Sequence, residues 1–164
     1  MREVMKILNK VGVCTESEFP YEDVIGGSDT LGSDTLDAAK RFRIKSYASI
    51  STIDALKKAL YKDGPCLIAV PVYSGTPENR MWKQTPGATF LGGHAMAVVG
   101  YNKEGFIIRN SWGDRWDGDG YTVFPYEDWG MQWEVWGSVD EESGNPVSRP
   151  WYERLFDWIV SLFR

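Results

Sequence analysis

The strongest constraint on the fold is a series of strand patterns separated by turn signals between residues 65 and 113. The run PCLIAVPVY (65–73) is continuously apolar and rich in strand-forming residues, which predicts a strand buried on both faces. Two more strand patterns, HAMAVVGYN (94–102) and GFIIRNSWG (105–113), are joined by a tight turn at Asn102–Gly105. The run FRIKSYASI (42–50) alternates as a strand does, and GYTVFPYEDW and WEVWGSV are late strand-like pieces. The sequence therefore predicts an antiparallel, β-rich body.

Two helix patterns accompany these strands. Met5, Leu8 and Val11 recur at helical spacing before Gly12, which predicts a first helix that ends at this glycine. A second helix is predicted over 51–60, where Ser51 and Asp54 form a capping-box pattern. Its apolar residues share one face, which favours packing against the strands: Ile53, Leu56 and Leu60.

Two segments lie outside this pattern. The pentapeptide GSDTL occurs twice in tandem, at 27–31 and 32–36, and its turn-forming composition predicts a solvated loop. Residues 144–150 read as a linker, and residues 151–164 predict a compact amphipathic helix. One side of this helix is a polar stripe of mixed charge: Glu153, Asp157, Ser161 and Arg164. The opposite side is apolar: Trp151, Leu155, Trp158, Ile159 and Leu162.

Composition excludes several classes of protein. The 164 residues are 43% apolar, enough for one domain or slightly more, and the net charge of −5 argues against a nucleic-acid-binding surface. Cys14, Cys66 and the single histidine, His94, are too few for a disulfide-rich scaffold or a structural zinc site, so no metal and no cofactor is predicted. The charged first residues are unlike a signal peptide, and no apolar stretch is long enough to span a bilayer. The cytoplasm is the default expectation for the compartment.

Residues 92–121 carry the most specific pattern in the chain. The runs GGHAMAVVGYN and NSWGDRWDGDGY resemble the histidine strand and the asparagine loop of papain-like cysteine peptidases. Upstream, VGVCTESEFPYED and ALKKALYKDGPCLIAVPVY resemble further stretches of that family. The matches follow the family order over roughly residues 3–137.

The resemblance implies both a site and a fold. His94 is the implied catalytic imidazole, Asn110 the residue that orients it, and Trp112 the indole over their hydrogen bond. Gly93, Ser111 and Gly113 are implied as supporting residues. The implied fold is α+β and papain-like. Residues 1–34 would be a remnant of the helical lobe, 35–140 the antiparallel β-barrel-like lobe, and 141–164 the linker and C-terminal amphipathic helix.

The family's nucleophile segment is not recognised in this sequence. Its pattern Cys-Gly-Ser/Ala-Cys-Trp/Tyr stands roughly 130–150 residues before the histidine, which here falls before Met1. Cys14 follows a predicted helix C-terminus, where the dipole disfavours a thiolate, and Cys66 lies in a predicted buried strand. No nucleophile is therefore assigned. Asp114, Asp117 and Asp119 miss the spacing of a calcium loop.

Two functional hypotheses remain open. The chain is the His/Asn half of a cysteine-type peptidase, inactive alone and acting on peptides or proteins when another segment supplies the nucleophile. Alternatively, it is a non-catalytic, peptidase-derived structural or partner-binding module. Both predict an exposed inter-lobe face, which the C-terminal helix, a partner chain or a second copy would cover. Docking of the helix on a membrane surface is the least favoured option, because its polar stripe is not basic.

Overall fold

The computed structural model describes residues 1–20 and 32–140. Within these ranges the helices are α1 (Arg2–Lys10), α2 (Ser33–Ala39) and α3 (Ile53–Lys62). The strands are β1 (Ile44–Ser49), β2 (Cys66–Tyr73), β3 (Phe90–Tyr101), β4 (Gly105–Arg109), β5 (Tyr121–Pro125) and β6 (Glu134–Asp140). Short 3₁₀ turns lie at Glu78–Arg80, Trp116–Gly118 and Tyr126–Asp128. The predicted mixed α+β class is confirmed.

The six strands form one antiparallel sheet in the order β1-β6-β2-β3-β4-β5. Strand β2 pairs with β3 along its whole length and also with β6, and burial of successive residues such as Ala69 and Val70, which point to opposite faces, explains its continuous apolar sequence. Strand β3 begins at Phe90, four residues earlier than predicted, because Gly92 and Gly93 gave no strand signal although both are paired with β2. Strand β4 ends at Arg109, earlier than predicted, and Asn110 begins a loop.

The hydrophobic core lies between α3 and the sheet. Leu56 and Leu60 of α3 are buried, as predicted, and they belong to the same cluster as Ile68, Val98 and Phe106. The cluster continues under β5, where the rings of Trp82 and Phe124 are 4.8 Å apart. The core therefore holds β2, β3 and β4, the strands that place the site residues, on a rigid base.

The ends of two helices show what fixes them. Helix α1 ends at Lys10, and Gly12, two residues later, has φ +101°. A Cβ there would lie 2.0 Å from the carbonyl oxygen of Ala39, so a glycine is required after this helix for both conformational and steric reasons. The capping residue predicted for α3 was wrong by one position. Thr52, not Ser51, is the N-cap, and its Oγ1 accepts a hydrogen bond from the backbone N–H of Ala55.

The loop predicted for the repeated pentapeptide is wrong for its second copy. Residues 33–36 form the start of α2, with Gly32 as N-cap and Asp34 in the first turn, where a negative charge stabilises a helix. The first copy lies outside the described residues, as do the linker 144–150 and the predicted helix 151–164. The domain boundary at 34/35 stays a prediction. In the part of the chain that the structure describes, no helix is long and apolar enough to cross a bilayer.

A buried carboxylate ties the loop after β2 to the turn after β5. Asp128 is only 1% exposed; it accepts hydrogen bonds from Arg80, at 2.6 Å, and from the indole N–H of Trp82, at 2.9 Å. Burial alone would raise the pKa of the Asp128 carboxyl, but the donors Arg80 and Trp82 hold this pKa below its usual value. The ionised form of Asp128 is therefore the form that stabilises the fold.

Replacing Asp128 should remove a stabilisation that depends on pH. Because the folded-state pKa is lowered, this stabilisation is present above the unfolded-state pKa of about 3.9 and is lost as the pH falls through the folded-state value. At pH 7 we expect Asp128→Asn to lower the free energy of unfolding by about 1–3 kcal/mol, with the difference shrinking in acid. Urea denaturation at several pH values measures this. The exposed Asp37→Asn, which removes a partner of Lys40, should change stability by less than about 0.5 kcal/mol; an equal loss in both variants would contradict the interpretation.

Candidate active site

His94 lies near the start of β3 and is half-buried. It pairs with Val70 of β2, and side-chain alternation places it on the same face of the strand as Met96 and Val98, which are in the core. The strand therefore holds the backbone of His94 rigidly, while its ring lies at the margin of the core.

Asn110 is the first residue after β4, and its side chain contacts the His94 ring. Asn110 is only 8% exposed, its backbone N–H donates to the carbonyl of Gly120, and its Oδ1 lies 2.7 Å from His94 Nε2. The backbone N–H of Ser111 donates to the same oxygen at 2.8 Å. The Ser111 N–H can donate only to an acceptor, so it fixes the amide with Oδ1, and not the NH₂ group, on this side. Because Oδ1 can only accept, His94 Nε2 must be the nitrogen that carries the proton. In the neutral ring, Nδ1 is then the basic nitrogen.

Trp112 covers the imidazole. Its ring stacks on that of His94 with centroids 4.7 Å apart and planes tilted by 30°. Buried Trp116 meets Trp112 edge-on, with centroids 6.0 Å apart, and so supports the exposed indole from behind. No role was predicted for Trp116, although it is the second tryptophan of the loop pattern.

The loop that carries Asn110 and Trp112 depends on backbone that only glycine adopts easily. Gly113 and Gly120 have φ +88° and +83°, and a Cβ on Gly120 would lie 3.0 Å from the carbonyl oxygen of Gly113. Two of the predicted supporting residues thus act through the backbone, Gly113 by its conformation and Ser111 by its N–H.

Gly93 has a different role from the one that the pattern implied. A Cβ at this position would lie 2.4 Å from the indole of Trp133, so a glycine is required for that indole to lie against β3. Phe90 contacts Trp133 and Tyr73, each with ring centroids 5.9 Å apart. We call the surface formed by Tyr73, Phe90 and Trp133 the aromatic shelf; the exposed Leu91 follows Phe90 in the chain. The shelf was not predicted from the sequence, because its residues come from three separate segments.

Neither cysteine is connected to the imidazole. Cys66 is buried and its Sγ lies 3.7 Å from the carbonyl oxygen of Gly64; burial, with a smaller effect of the Asp63 charge, raises the pKa of the Cys66 thiol to about 12. Its register partner is Val98, four residues along β3 from His94. Cys14 is half-buried in the segment after α1. Among the described residues, no sulfur is hydrogen-bonded to His94.

The acidic residues of the loop are engaged in local structure. Asp119 accepts from the backbone N–H of Tyr121, and Asp117 accepts from the side chain of Asn79. Over residues 1–20 and 32–140, no group of three or more His, Cys, Asp or Glu side chains could hold a metal ion. What the site offers chemically is a positioned imidazole with a free basic nitrogen, able to accept a proton from a nucleophile placed beside it.

A family model and relatives of known sequence point to the same protein family. A model of the papain family of cysteine proteases matches residues 1–135. The chain is 35% identical over 135 residues to cathepsin B-like CP2 of Giardia intestinalis, an alignment that covers 72% of this chain and 43% of that protein. It is 30% identical over 127 residues to germination-specific cysteine protease 1 of Arabidopsis thaliana, covering 70% and 31%. The chain thus spans less than half the length of these relatives.

Solved structures agree on the fold. Xylellain, a cysteine protease from Xylella fastidiosa, superposes with a TM-score of 0.72 at 30% identity, covering 84% of this chain and 60% of that one. A procathepsin B from Trypanosoma congolense gives 0.61 at 17% identity, covering 87% and 53%. The predicted papain-like fold class is confirmed.

The environments of the two cysteines predict different reactivities. Because the thiolate is the reactive form, the raised pKa and the burial of Cys66 should leave it unmodified by iodoacetamide at pH 8 in the folded protein. Cys14 serves as the internal comparison, and peptide mass spectrometry of the alkylated protein distinguishes the two. In denaturant both should react. Labelling of Cys66 as fast as Cys14 under native conditions would contradict this assignment.

Proposed function

Because the chain belongs to the papain family of cysteine proteases, we propose that it is the His/Asn-bearing part of a cysteine-type peptidase site. The single observation that carries this proposal is the 2.7 Å contact between His94 Nε2 and Asn110 Oδ1 under the stacked Trp112 ring. In this role His94 is the general base, Asn110 orients it, and Trp112 excludes water from their hydrogen bond.

The proposed reaction requires a cysteine beside His94 Nδ1. That imidazole nitrogen takes the thiol proton, and the thiolate attacks the carbonyl carbon of a peptide bond. The imidazolium then protonates the departing amine as the carbon–nitrogen bond breaks, which leaves an acyl-enzyme. Water, deprotonated by His94, hydrolyses this thioester and restores the thiol. The substrate class is accordingly peptides or proteins.

The nucleophile and the oxyanion donors must come from a segment that packs against the His94 face. We propose that this is a helical lobe, carried on the same polypeptide or on a partner chain. The environments of Cys14 and Cys66 argue against either as a substitute, since neither is hydrogen-bonded to the imidazole and Cys66 is buried.

A non-catalytic role as a partner-binding module is the second candidate. The aromatic shelf favours it, because this surface is exposed and apolar whether or not catalysis occurs. The two candidates differ in what they require of Asn110: a peptidase needs its oxygen, whereas a binding module does not.

The 164-residue chain by itself should neither hydrolyse peptides nor react with epoxide inhibitors that alkylate catalytic thiolates. The reason is that an imidazole without an adjacent thiol has nothing to activate. Incubation with a fluorogenic peptide and with a labelled epoxide, followed by mass spectrometry, provides the measurement. Rapid stoichiometric labelling of Cys14 or Cys66 would overturn the assignment of the nucleophile to another segment.

The proposal itself is tested by supplying that segment. A helical lobe that carries the family's cysteine segment, fused before Met1, should give peptide hydrolysis that is lost in His94→Ala. Loss of the group that orients the catalytic histidine lowers kcat by up to about 10⁴-fold in serine peptidases. We therefore expect Asn110→Ala to lower kcat by at least about 100-fold. Asn102→Ala, in the turn between β3 and β4, is the matched control and should retain kcat. The peptidase role would be refuted by a folded fusion that does not hydrolyse peptides, or by a kcat that is unchanged in Asn110→Ala.

A further inference from the structure

The aromatic shelf is exposed to solvent, although backbone and ring contacts hold its side chains in place. Phe90 is 53% exposed and Trp133 is 57% exposed. Yet Trp133 is fixed at its backbone, which donates to the carbonyl of Ala69, and at its ring, which lies on Gly93 and Phe90. A preformed apolar surface of this kind is typical of a docking site, because binding to it requires little reordering of side chains.

The shelf selects its occupant by chemistry. None of its three residues is charged, and the neighbouring Gly93 and Ala95 add exposed backbone and a methyl group, without polar side chains. An occupant must therefore contribute apolar side chains, and burial of these stabilises docking by roughly 25 cal/mol for each Å² of apolar surface removed from water.

A segment of this chain with that chemistry lies within reach. The described part ends at Asp140, the last residue of β6, and Trp133 directly precedes the first residue of the same strand. From Glu134 to Asp140 the strand is about 20 Å long. The ten residues 141–150 extend up to about 33–36 Å. A linker of that length can return along β6 and deliver residue 151 to the shelf with length to spare.

We propose that residues 151–164 of the same chain cover the aromatic shelf. Trp151, Leu155, Trp158, Ile159 and Leu162 form the apolar side that the sequence predicts for this segment, and they would face the shelf. Glu153, Asp157, Ser161 and Arg164 would face solvent. This interaction does not depend on peptidase activity. It makes the C-terminal segment an intrachain cover of the surface next to His94.

A cysteine reporter next to the shelf, at the exposed residue that follows Phe90, tests this in the full chain. Leu91→Cys in a Cys14→Ser background introduces an accessible thiol, whose rate of alkylation by a bulky maleimide measures how well the shelf is covered. We expect Ile159→Glu and Trp158→Glu to raise this rate by about tenfold, which corresponds to a loss of about 1.4 kcal/mol of docking free energy. Ser161→Glu adds the same charge on the polar stripe and should leave the rate unchanged.

Two controls separate this explanation from others. Tyr61→Cys, at a residue that is 86% exposed on α3, should be alkylated at the same rate with every tail variant. Protection of Leu91→Cys should not change on tenfold dilution, because an intrachain contact is independent of concentration. Protection that disappears on dilution would assign the shelf to a second copy of the chain and overturn the proposal. Rapid alkylation that is equal in all tail variants would overturn it as well.

Discussion

The site depends on one amide oxygen that receives two donors. Asn110 Oδ1 accepts from the Ser111 N–H on its own loop and contacts His94 Nε2 on β3, so it fixes the ring relative to the loop. Either contact alone would leave the amide free to rotate, and a rotated amide would present NH₂ to the imidazole. The two together select one ring orientation and one tautomer without introducing a charge. The positions of Trp112, Gly113 and Gly120 are understandable as requirements of this arrangement.

That local geometry is only as rigid as the strands behind it. Strand β3 is held by paired β2 and β4, and the core under these strands includes Leu56 and Leu60 of α3. The loop after β2 is joined to the turn after β5 by the buried Asp128, which accepts from Arg80 and Trp82. Since β5 pairs with β4, the strand that directly precedes Asn110, the ion pair stabilises the ladder from which the asparagine loop leaves. A carboxylate remote from the imidazole thereby supports its environment.

The sequence predicted what periodicity and local spacing encode. The helices over 2–10 and 53–62 and the buried strand β2 each have such a pattern within one short segment. The trio of His94, Asn110 and Trp112, which the structure brings together, was implied instead by the resemblance to the papain family. The sequence did not predict the choice between two adjacent hydroxyl residues, of which Thr52 rather than Ser51 caps α3. Nor did it predict features set by tertiary contact: β3 includes two glycines because β2 supplies partners for them. The aromatic shelf joins residues from β2, β3 and the segment before β6, so no single stretch of sequence reveals it.

Gly93 and His94 connect the two surfaces for which functions are proposed. Gly93 admits the Trp133 indole onto β3, and the next residue presents the imidazole to Asn110. Because successive side chains of a strand point to opposite sides, one backbone unit serves the shelf and the site at once. An occupant of the shelf and a nucleophile-bearing lobe beside His94 would therefore approach β3 through adjacent residues but from opposite sides. Any effect of one association on the other would pass through this backbone unit, and it would be the same factor in both directions, since coupling between two binding events is reciprocal.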